Sequence, residues 1–456
     1  MTLNLRLEYQ TAYGEDLYVV VGTEKEKSYP MHYAGEGVWC AELKLTATEL
    51  TYRYEVRYGE QVVRKEWGND KHYLKVDKKT QNVRVSDRWF DMPADRSFHS
   101  SMFTDGVFHR EKPKKTQDVA EGYLTINADI AVVRTNQHVV MVGEGKALGN
   151  WDVKKGVVMS DARFPLWSAR IKTPKASFAY KFVIVDTLTG DVVAWQAGEN
   201  YYFNEVARDS EALVIEGLRP QFNMAPWRGA GVAIPVFSLR SKSSFGVGEF
   251  NDIKLMVDWA ELTGQSIIQI LPINDTTMTG TWQDSYPYNA NSTFALHPQF
   301  LHLPAVGKLN DMEAAARFAA LGEELNTLAE VDYERVNNAK SEYLHLIYAQ
   351  DGKKTLASKE FKTFMSANEE WLRPYAIFCA LRDEKGTPDF SKWGTIAKYT
   401  KAKAAKYEKE HNSEVMYHCF LQFHLSKQLR EVRDYAHSKG VVLKGDIPIG
   451  ISRTSV

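Results

Sequence analysis

The sequence predicts a multidomain protein: two copies of an all-β module, followed by the first part of a (β/α) barrel that carries a helical insertion. Three observations lead there. First, Trp39, Tyr52, Arg53 and Trp67 recur as Trp167, Tyr180, Lys181 and Trp195, each pair 128 residues apart. Four matches at one offset mark an internal duplication. Second, up to about residue 215 the chain consists of short β-rich runs (16–21, 52–57, 138–142, 179–185) broken by Gly, Asn and Asp, the pattern of strands and turns. Third, beyond a stretch holding Pro220, Pro226, Gly229 and Gly231, the pattern becomes strand, helix, strand.

Taken in order, residues 1–88 form the first module and 119–216 the second. The segment 89–118 reads as a linker that docks through Trp89, Phe98, Phe103 and Phe108. The barrel part occupies 227–456. Residues 231–239 are an apolar run suited to a buried parallel strand. Asn251 and Asp252 open a helix with Ile253, Met256, Val257 and Ala260 on one face, and Gly264 stops it. Residues 266–273 predict a second strand. From about 302 to 438 the chain is charged and helical, and Met416, Cys419, Phe420 and Phe423 fall at core spacing on its last helix. Residues 441–449 predict a third strand. Strand–helix–strand, a long insertion and a third strand suit a (β/α) barrel.

The 456 residues are 44% apolar and 25% charged, with net charge −1, a globular balance with no field to recruit nucleic acid or an anionic membrane. The run Lys401 to Lys406 reads as a solvated helix face. Three scattered cysteines, Cys40, Cys379 and Cys419, argue against a disulfide framework or a clustered metal site. No basic start precedes an apolar core, and no run approaches a membrane span. The expectation is a cytoplasmic protein with no metal or organic cofactor.

The second module contains Leu148-Gly149-Asn150-Trp151, Pro165-Leu166-Trp167, Phe178-Ala179-Tyr180-Lys181-Phe182 and Val193-Ala194-Trp195. In combination these words resemble a family 20 carbohydrate-binding module, a starch-binding β-sandwich. The resemblance implies a site made by Trp151, Trp195 and Lys181, with Asn200 nearby. Indole faces suit the apolar faces of a glucan, and polar neighbours take its hydroxyls. The alternative is that both tryptophans are core; Trp167, inside a strand, is expected to be core. The first module keeps Trp67 but has Arg53 in place of the lysine and no Leu-Gly-x-Trp word. Its Tyr13-Gly14-Glu15 resembles the tyrosine of the family's second site, where the second module has Thr135. The two modules are therefore expected to bind differently.

The barrel part resembles glycoside hydrolase family 77, the amylomaltase or disproportionating enzymes, in the form found in the plant cytosolic subgroup. The words are Trp227-Arg228-Gly229-Ala230-Gly231, Phe245-Gly246-Val247-Gly248-Glu249-Phe250, Leu271-Pro272-Ile273-Asn274-Asp275, Asp284-Ser285-Tyr286-Pro287-Tyr288, Phe294-Ala295-Leu296-His297-Pro298 and Lys444-Gly445-Asp446-Ile447-Pro448. This implies a (β/α)8 TIM-type barrel with ligand groups at the strand C-termini. Tyr288 would stack on a sugar, Asp284, Ser285 and Ser292 would shape the groove, and Asp446 would lie at the end of strand three. Asp446 as a local backbone cap is the alternative, and His297 is expected to be structural.

Retaining glycosyl transfer needs a nucleophilic and an acid/base carboxylate about 5 Å apart. The family's Arg-x-Asp-His and Glu-Asp-Leu-Gly words, which supply them, do not occur here in place. No catalytic residue is therefore assigned, the carboxylates are expected beyond residue 456, and residues 1–456 alone are expected to be inactive. Three strands would not close a barrel. The expected parent activity is 4-α-glucanotransfer between maltose or maltodextrin and starch or glycogen acceptors. The alternatives are a non-catalytic glucan-binding protein and a starch hydrolase.

Overall fold

A computed structural model describes residues 1–22, 25–67, 72–108, 116–205, 208 and 210–456. The chain divides into two compact units, Met1–Trp227 and Arg228–Val456.

The first unit is all-β. Each half builds one sheet of its own, and the two halves share another. The first half's sheet runs in the order Lys27–Pro30, Glu15–Val21, Glu49–Tyr58, Gln61–Lys65. The second half's runs Val157–Val158, Gln137–Gly143, Phe178–Asp186, Val192–Trp195. Both lie over one eight-stranded sheet whose central seam is the parallel pairing of Ala212–Leu218 with Asn82–Arg88. On either side of that seam Thr2–Glu8 pairs with Val38–Lys44, and Tyr123–Asp129 with Leu166–Lys172.

The 128-residue repeat is visible in this geometry. Trp39 faces Leu7 across one ladder and Trp167 faces Ala128 across its counterpart. Both indoles are buried and donate their N–H to a backbone carbonyl, Trp39 to Tyr9 at 3.2 Å and Trp167 to Ile130 at 3.1 Å. Tyr52 and Tyr180 are each 1% exposed. A buried indole needs a partner for its one donor, and both copies meet that need alike. In the linker, Phe98, Phe103 and Phe108 pack on one another, with ring centroids 4.9–5.1 Å apart, and Trp89 stacks on Tyr9 at 4.2 Å.

Beside the seam lies a buried polar network. His72 bonds Glu66 at 3.0 Å and approaches Asp87 at 3.4 Å; Tyr52 and Tyr54 donate to Asp87, and Asn127 donates to Glu216. Burial opposes charging of His72, but Glu66 and Asp87 outweigh it and raise its pKa from 6.5 to about 9. Burial raises Glu216 from 4.5 to about 7. Both groups hold a proton in the fold that the unfolded chain has released. Their contribution is therefore fully present below about pH 4.5 and lost as pH rises through about 7 and then 9.

The second unit centres on a parallel sheet of three strands in the order Gly231–Ala233, Ile267–Gln269, Val442–Lys444. Each strand is shorter than the apolar runs predict. Pro235 interrupts the first, which passes into a 3-10 turn, and Pro272 and Pro448 stand in the other two runs. Ile447 and Ile449 are 75% and 89% exposed rather than buried. The helix Ile253–Leu262 follows a turn closed by a reciprocal Glu249/Asp252 capping box, and buries Ile253, Val257 and Ala260. The insertion holds the helices Met312–Thr327, Tyr333–Ala357, Lys359–Lys385 and Lys401–Glu410, and ends in Asn412–Ser438, which packs back against the sheet. Cys419 and Phe420 are buried there, with Met416 and Phe423 packed beside them. Among the described residues no helix is long and apolar enough to cross a membrane, and no cluster of His, Cys, Asp and Glu is arranged to hold a metal.

Candidate functional site

In the second β-module the strand register places the predicted residues. Lys181 pairs with Val142, Val183 with Val140, and Val183 with Trp195. Paired residues share a face of the sheet and neighbours alternate. Lys181, Val183 and Trp195 therefore stand on the outer face, while Tyr180, Phe182 and Ile184 carry the core. Trp151 packs onto the same outer face, against Val140, Val142, Val183 and Val185. Both indoles thus converge on Val183. Trp195 is 42% exposed, which excludes a core role for it.

Local backbone explains the Leu-Gly-x-Trp word. Leu148 is buried and anchors the loop. Gly149 turns with φ +75°, where an added Cβ would lie 2.7 Å from the Asp152 carbonyl oxygen. Asn150 (φ +49°) and Trp151 (φ +67°) follow in the left-handed region. A bulky residue rarely adopts that conformation, and such strain accumulates at binding sites. Lys181 Nζ donates to the carbonyls of Gly198 at 2.7 Å and Gln196 at 3.4 Å, fixing the turn that leads to half-buried Asn200.

The first module's counterparts are arranged differently. Trp67 is half-buried, with its ring edge-to-face against His99 of the linker at 6.3 Å. Arg53 is held by both carboxylate oxygens of Glu26. Tyr13 projects fully from its turn.

In the second unit the predicted residues separate into two groups. Tyr288 donates its hydroxyl to Asp446 Oδ2 at 2.8 Å, and that bond raises the phenol's pKa. Asp446 also accepts the Ile447 N–H at 2.9 Å. Ser285 is exposed and lines a cleft of about 660 Å³ with Phe237, Trp282, Glu330 and Tyr333. By contrast, Asp284 is turned inward, accepting the N–H groups of Met278, Thr279 and Gly280 at 2.7–2.9 Å. Ser292 accepts those of Phe294 and Ala295, both at 3.2 Å. Both side chains are spent as acceptors for backbone N–H groups of the loop, which they hold in place. His297 accepts from Gln299 N–H at Nδ1 (3.1 Å) and faces the Tyr333 hydroxyl at 2.7 Å, and burial lowers its pKa; it is a neutral structural ring. Trp282 and Tyr286 were given no role from the sequence. Tyr286 is 61% exposed and lies 5.7 Å from Tyr288, between centroids. Tyr286 stands inside the Asp-Ser-Tyr-Pro-Tyr word and Trp282 two residues before it, which was the available signal.

Residues 234–456 match the family described as 4-alpha-glucanotransferase (glycoside hydrolase family 77), and residues 123–213 match the starch binding domain of family 20. The second half of the chain is thus similar to family 77, and the region before it to starch binding domains. Similarity extends beyond the two matches. The 4-alpha-glucanotransferase DPE2 of Oryza sativa subsp. japonica is 32% identical over 485 aligned residues, covering 100% of this chain and 51% of that protein. The 4-alpha-glucanotransferase of Chlamydia muridarum is 33% identical over 227 residues, covering 49% of this chain and 42% of that protein. The family 77 part also aligns with an amylomaltase from Streptococcus agalactiae in complex with acarbose, at 23% identity and TM-score 0.42, over 50% of this chain and 45% of that one. The chain spans about half the length of the curated relatives it matches. The region that matches the starch binding domain thus carries exposed Trp195 and half-buried Trp151 on one sheet face, and the region that matches family 77 carries the Tyr288–Asp446 pair.

Proposed function

We propose that the protein belongs to a cytoplasmic 4-α-glucanotransferase that moves glucosyl or glucan units between maltose or maltodextrin and a polymeric acceptor such as starch or glycogen. The observation that carries this is one polypeptide joining a family 77 domain to a starch-binding domain with two indoles on one sheet face. Within Met1–Trp227, modules at 1–88 and 119–216 flank the linker 89–118. In the second, Trp151 and Trp195 stack on sugar rings, while Lys181 and Asn200 order the adjoining turn and meet hydroxyls. Tethering the acceptor raises its local concentration at the transferase. In the first, Tyr13 is the available contact, because Trp67 and Arg53 are engaged within the protein.

In the family 77 domain, a further proposal is that residues 227–456 form the first three strands of a (β/α)8 barrel. Tyr288 and Asp446 then lie at its ligand-binding end, Tyr288 stacking on a sugar and its bond to Asp446 setting the ring's orientation. Ser285 faces the groove, and Asp284 and Ser292 act by holding the loop. Transfer proceeds through a covalent glycosyl-enzyme that a sugar hydroxyl attacks in place of water. Thin-layer analysis of the full-length protein with maltose and glycogen tests this. A ladder of longer dextrins means transfer, products that only shorten mean hydrolysis, and binding without turnover means a glucan-binding protein.

A further inference from the structure

The segment 274–296, which carries Tyr288, closes on itself where Asn274 and Leu296 form an antiparallel bridge. Inside that closure Asp275 is 1% exposed, and its carboxylate accepts from four donors. Two belong to Thr277, its N–H at 3.0 Å and its hydroxyl at 2.7 Å. The others are Asn291 Nδ2 at 3.0 Å and the Tyr375 hydroxyl at 2.7 Å. Asn291 is fully buried, and its own N–H donates to the Asp275 carbonyl at 2.8 Å. Between Asn291 and Tyr288 stand only Asn289 and Ala290, which pair with Gly450–Ile451. Asp275 and that pairing therefore fix the backbone end of Tyr288, and Asp446 fixes its hydroxyl end.

Tyr375 belongs to the insertion helix Lys359–Lys385, and it does not act alone. From the same helix, Arg382 Nη1 donates to the Thr277 carbonyl at 2.7 Å. Gln422, on helix Asn412–Ser438, holds Leu296 at both polar atoms. Its Oε1 accepts the Leu296 N–H at 2.9 Å, and its Nε2 donates to the carbonyl at 2.8 Å. The same Nε2 donates to the Tyr375 hydroxyl at 3.4 Å. All three side chains are buried, Tyr375 and Gln422 almost completely. The insertion thus holds the segment near its start, at 275–277, and at its end, at 296. Apolar side chains could fill this space, but they would not fix a direction as buried hydrogen bonds do. None of the three lines the cleft beside Ser285, so any effect on a sugar passes through the segment. We propose that Tyr375, Arg382 and Gln422 are positioning residues for glucan binding, which set where Tyr288 stands without touching the sugar. That the bound molecule is a glucan rests on the function proposed above; the positioning of Tyr288 does not.

The test places a fluorinated tyrosine at position 288 of the whole chain and reads its fluorine NMR signal. Tyr375→Phe, which removes only the hydroxyl, and Gln422→Met, which removes both bonds to Leu296, should each shift and broaden that signal. Ile347→Ala is the comparison. It truncates a fully buried side chain of helix Tyr333–Ala357, outside the hydrogen-bonded set. It should cost at least as much stability and leave the signal in place. In the full-length protein, Tyr375→Phe should raise KM for maltodextrin up to about tenfold, the worth of one ring stack. It should leave kcat unchanged, as loss of binding shared by ground and transition states does. A signal that stays in place with Tyr375→Phe and Gln422→Met, or moves no more than with Ile347→Ala, would overturn the proposal. A fall in kcat at unchanged KM would overturn it as well. Maltoheptaose, added to the labelled full-length protein carrying Trp151→Ala and Trp195→Ala, tests the glucan reading separately. A signal that follows Tyr375→Phe but ignores maltoheptaose overturns the glucan assignment and not the positioning.

Discussion

Replacing Trp195 by alanine separates a binding indole from a packing one. An indole buries at most ~250 Å², and Trp195 is 42% exposed, which leaves roughly 100 Å² open. A sugar stacked on one face covers about half of that, worth ~1.3 kcal/mol at ~25 cal/mol per Å². Affinity for maltoheptaose should therefore fall about tenfold. Stability should change little, because the side chain stands outside the core. Trp67→Ala at the equivalent position of the first module should do the reverse. Its ring is half-buried against His99, so about 1–3 kcal/mol of stability is lost while glucan affinity stays within twofold. Calorimetric titration with maltoheptaose and denaturant unfolding of each variant provide the two readouts. Equal loss of glucan affinity from both substitutions would refute the division between the modules, and with it the role given to the linker.

Further outcomes follow from the same structure. Gly149→Ala places a Cβ 2.7 Å from the Asp152 carbonyl oxygen at φ +75° and should weaken maltoheptaose binding by displacing Trp151, although residue 149 touches no sugar; unchanged affinity would remove the loop's role in positioning Trp151. Asp284→Ala removes an acceptor for three backbone N–H groups and should cost ~2–4 kcal/mol, read by denaturant unfolding of the full-length protein, whereas exposed Ser285→Ala should stay within ~0.5 kcal/mol. Thermal melts of the chain should show the β-unit losing stability from pH 5 to pH 9, as Glu216 and then His72 lose protons that burial and Glu66, respectively, hold in the fold. Glu216→Gln should flatten the lower part of that profile, and a melting temperature constant across the range would contradict the assignment.

Much of this was legible because it depends on short periods. Alternation along 178–186 assigns Tyr180 and Phe182 to one face and Lys181 and Val183 to the other, and pairing then carries Trp195 to the outer face. The duplication was legible because its residues keep one spacing. Features that depend on docking were not. Nothing near Trp67 announces His99, 32 residues later. Asp284 and Ser285 are adjacent and both polar; only the loop's return on itself directs one to backbone N–H groups and leaves the other exposed. Strand lengths were overread because an apolar run does not reveal where pairing stops, and Ile447 and Ile449 show apolar residues standing exposed outside any ladder.

The two copies show which residues specify the fold and which specify a site. Positions 39/167 and 52/180 are the same residue in both copies, and all four side chains are buried; they satisfy an indole donor and fill a sandwich core, which each copy requires. Positions 53/181 lie on the outer face, where packing demands little, and there the copies diverge. Lys181 braces the turn beside Trp195, whereas Arg53 is bound by Glu26. Positions 67/195 keep the indole but give it opposite surroundings, solvent in one copy and the linker in the other. Retaining a tryptophan was thus not enough to retain its exposure. The linker that covers Trp67 also supplies Phe98, Phe108 and His99 to a cavity beside the second module. A surface given up by the first copy thereby helps to build a new one against the second.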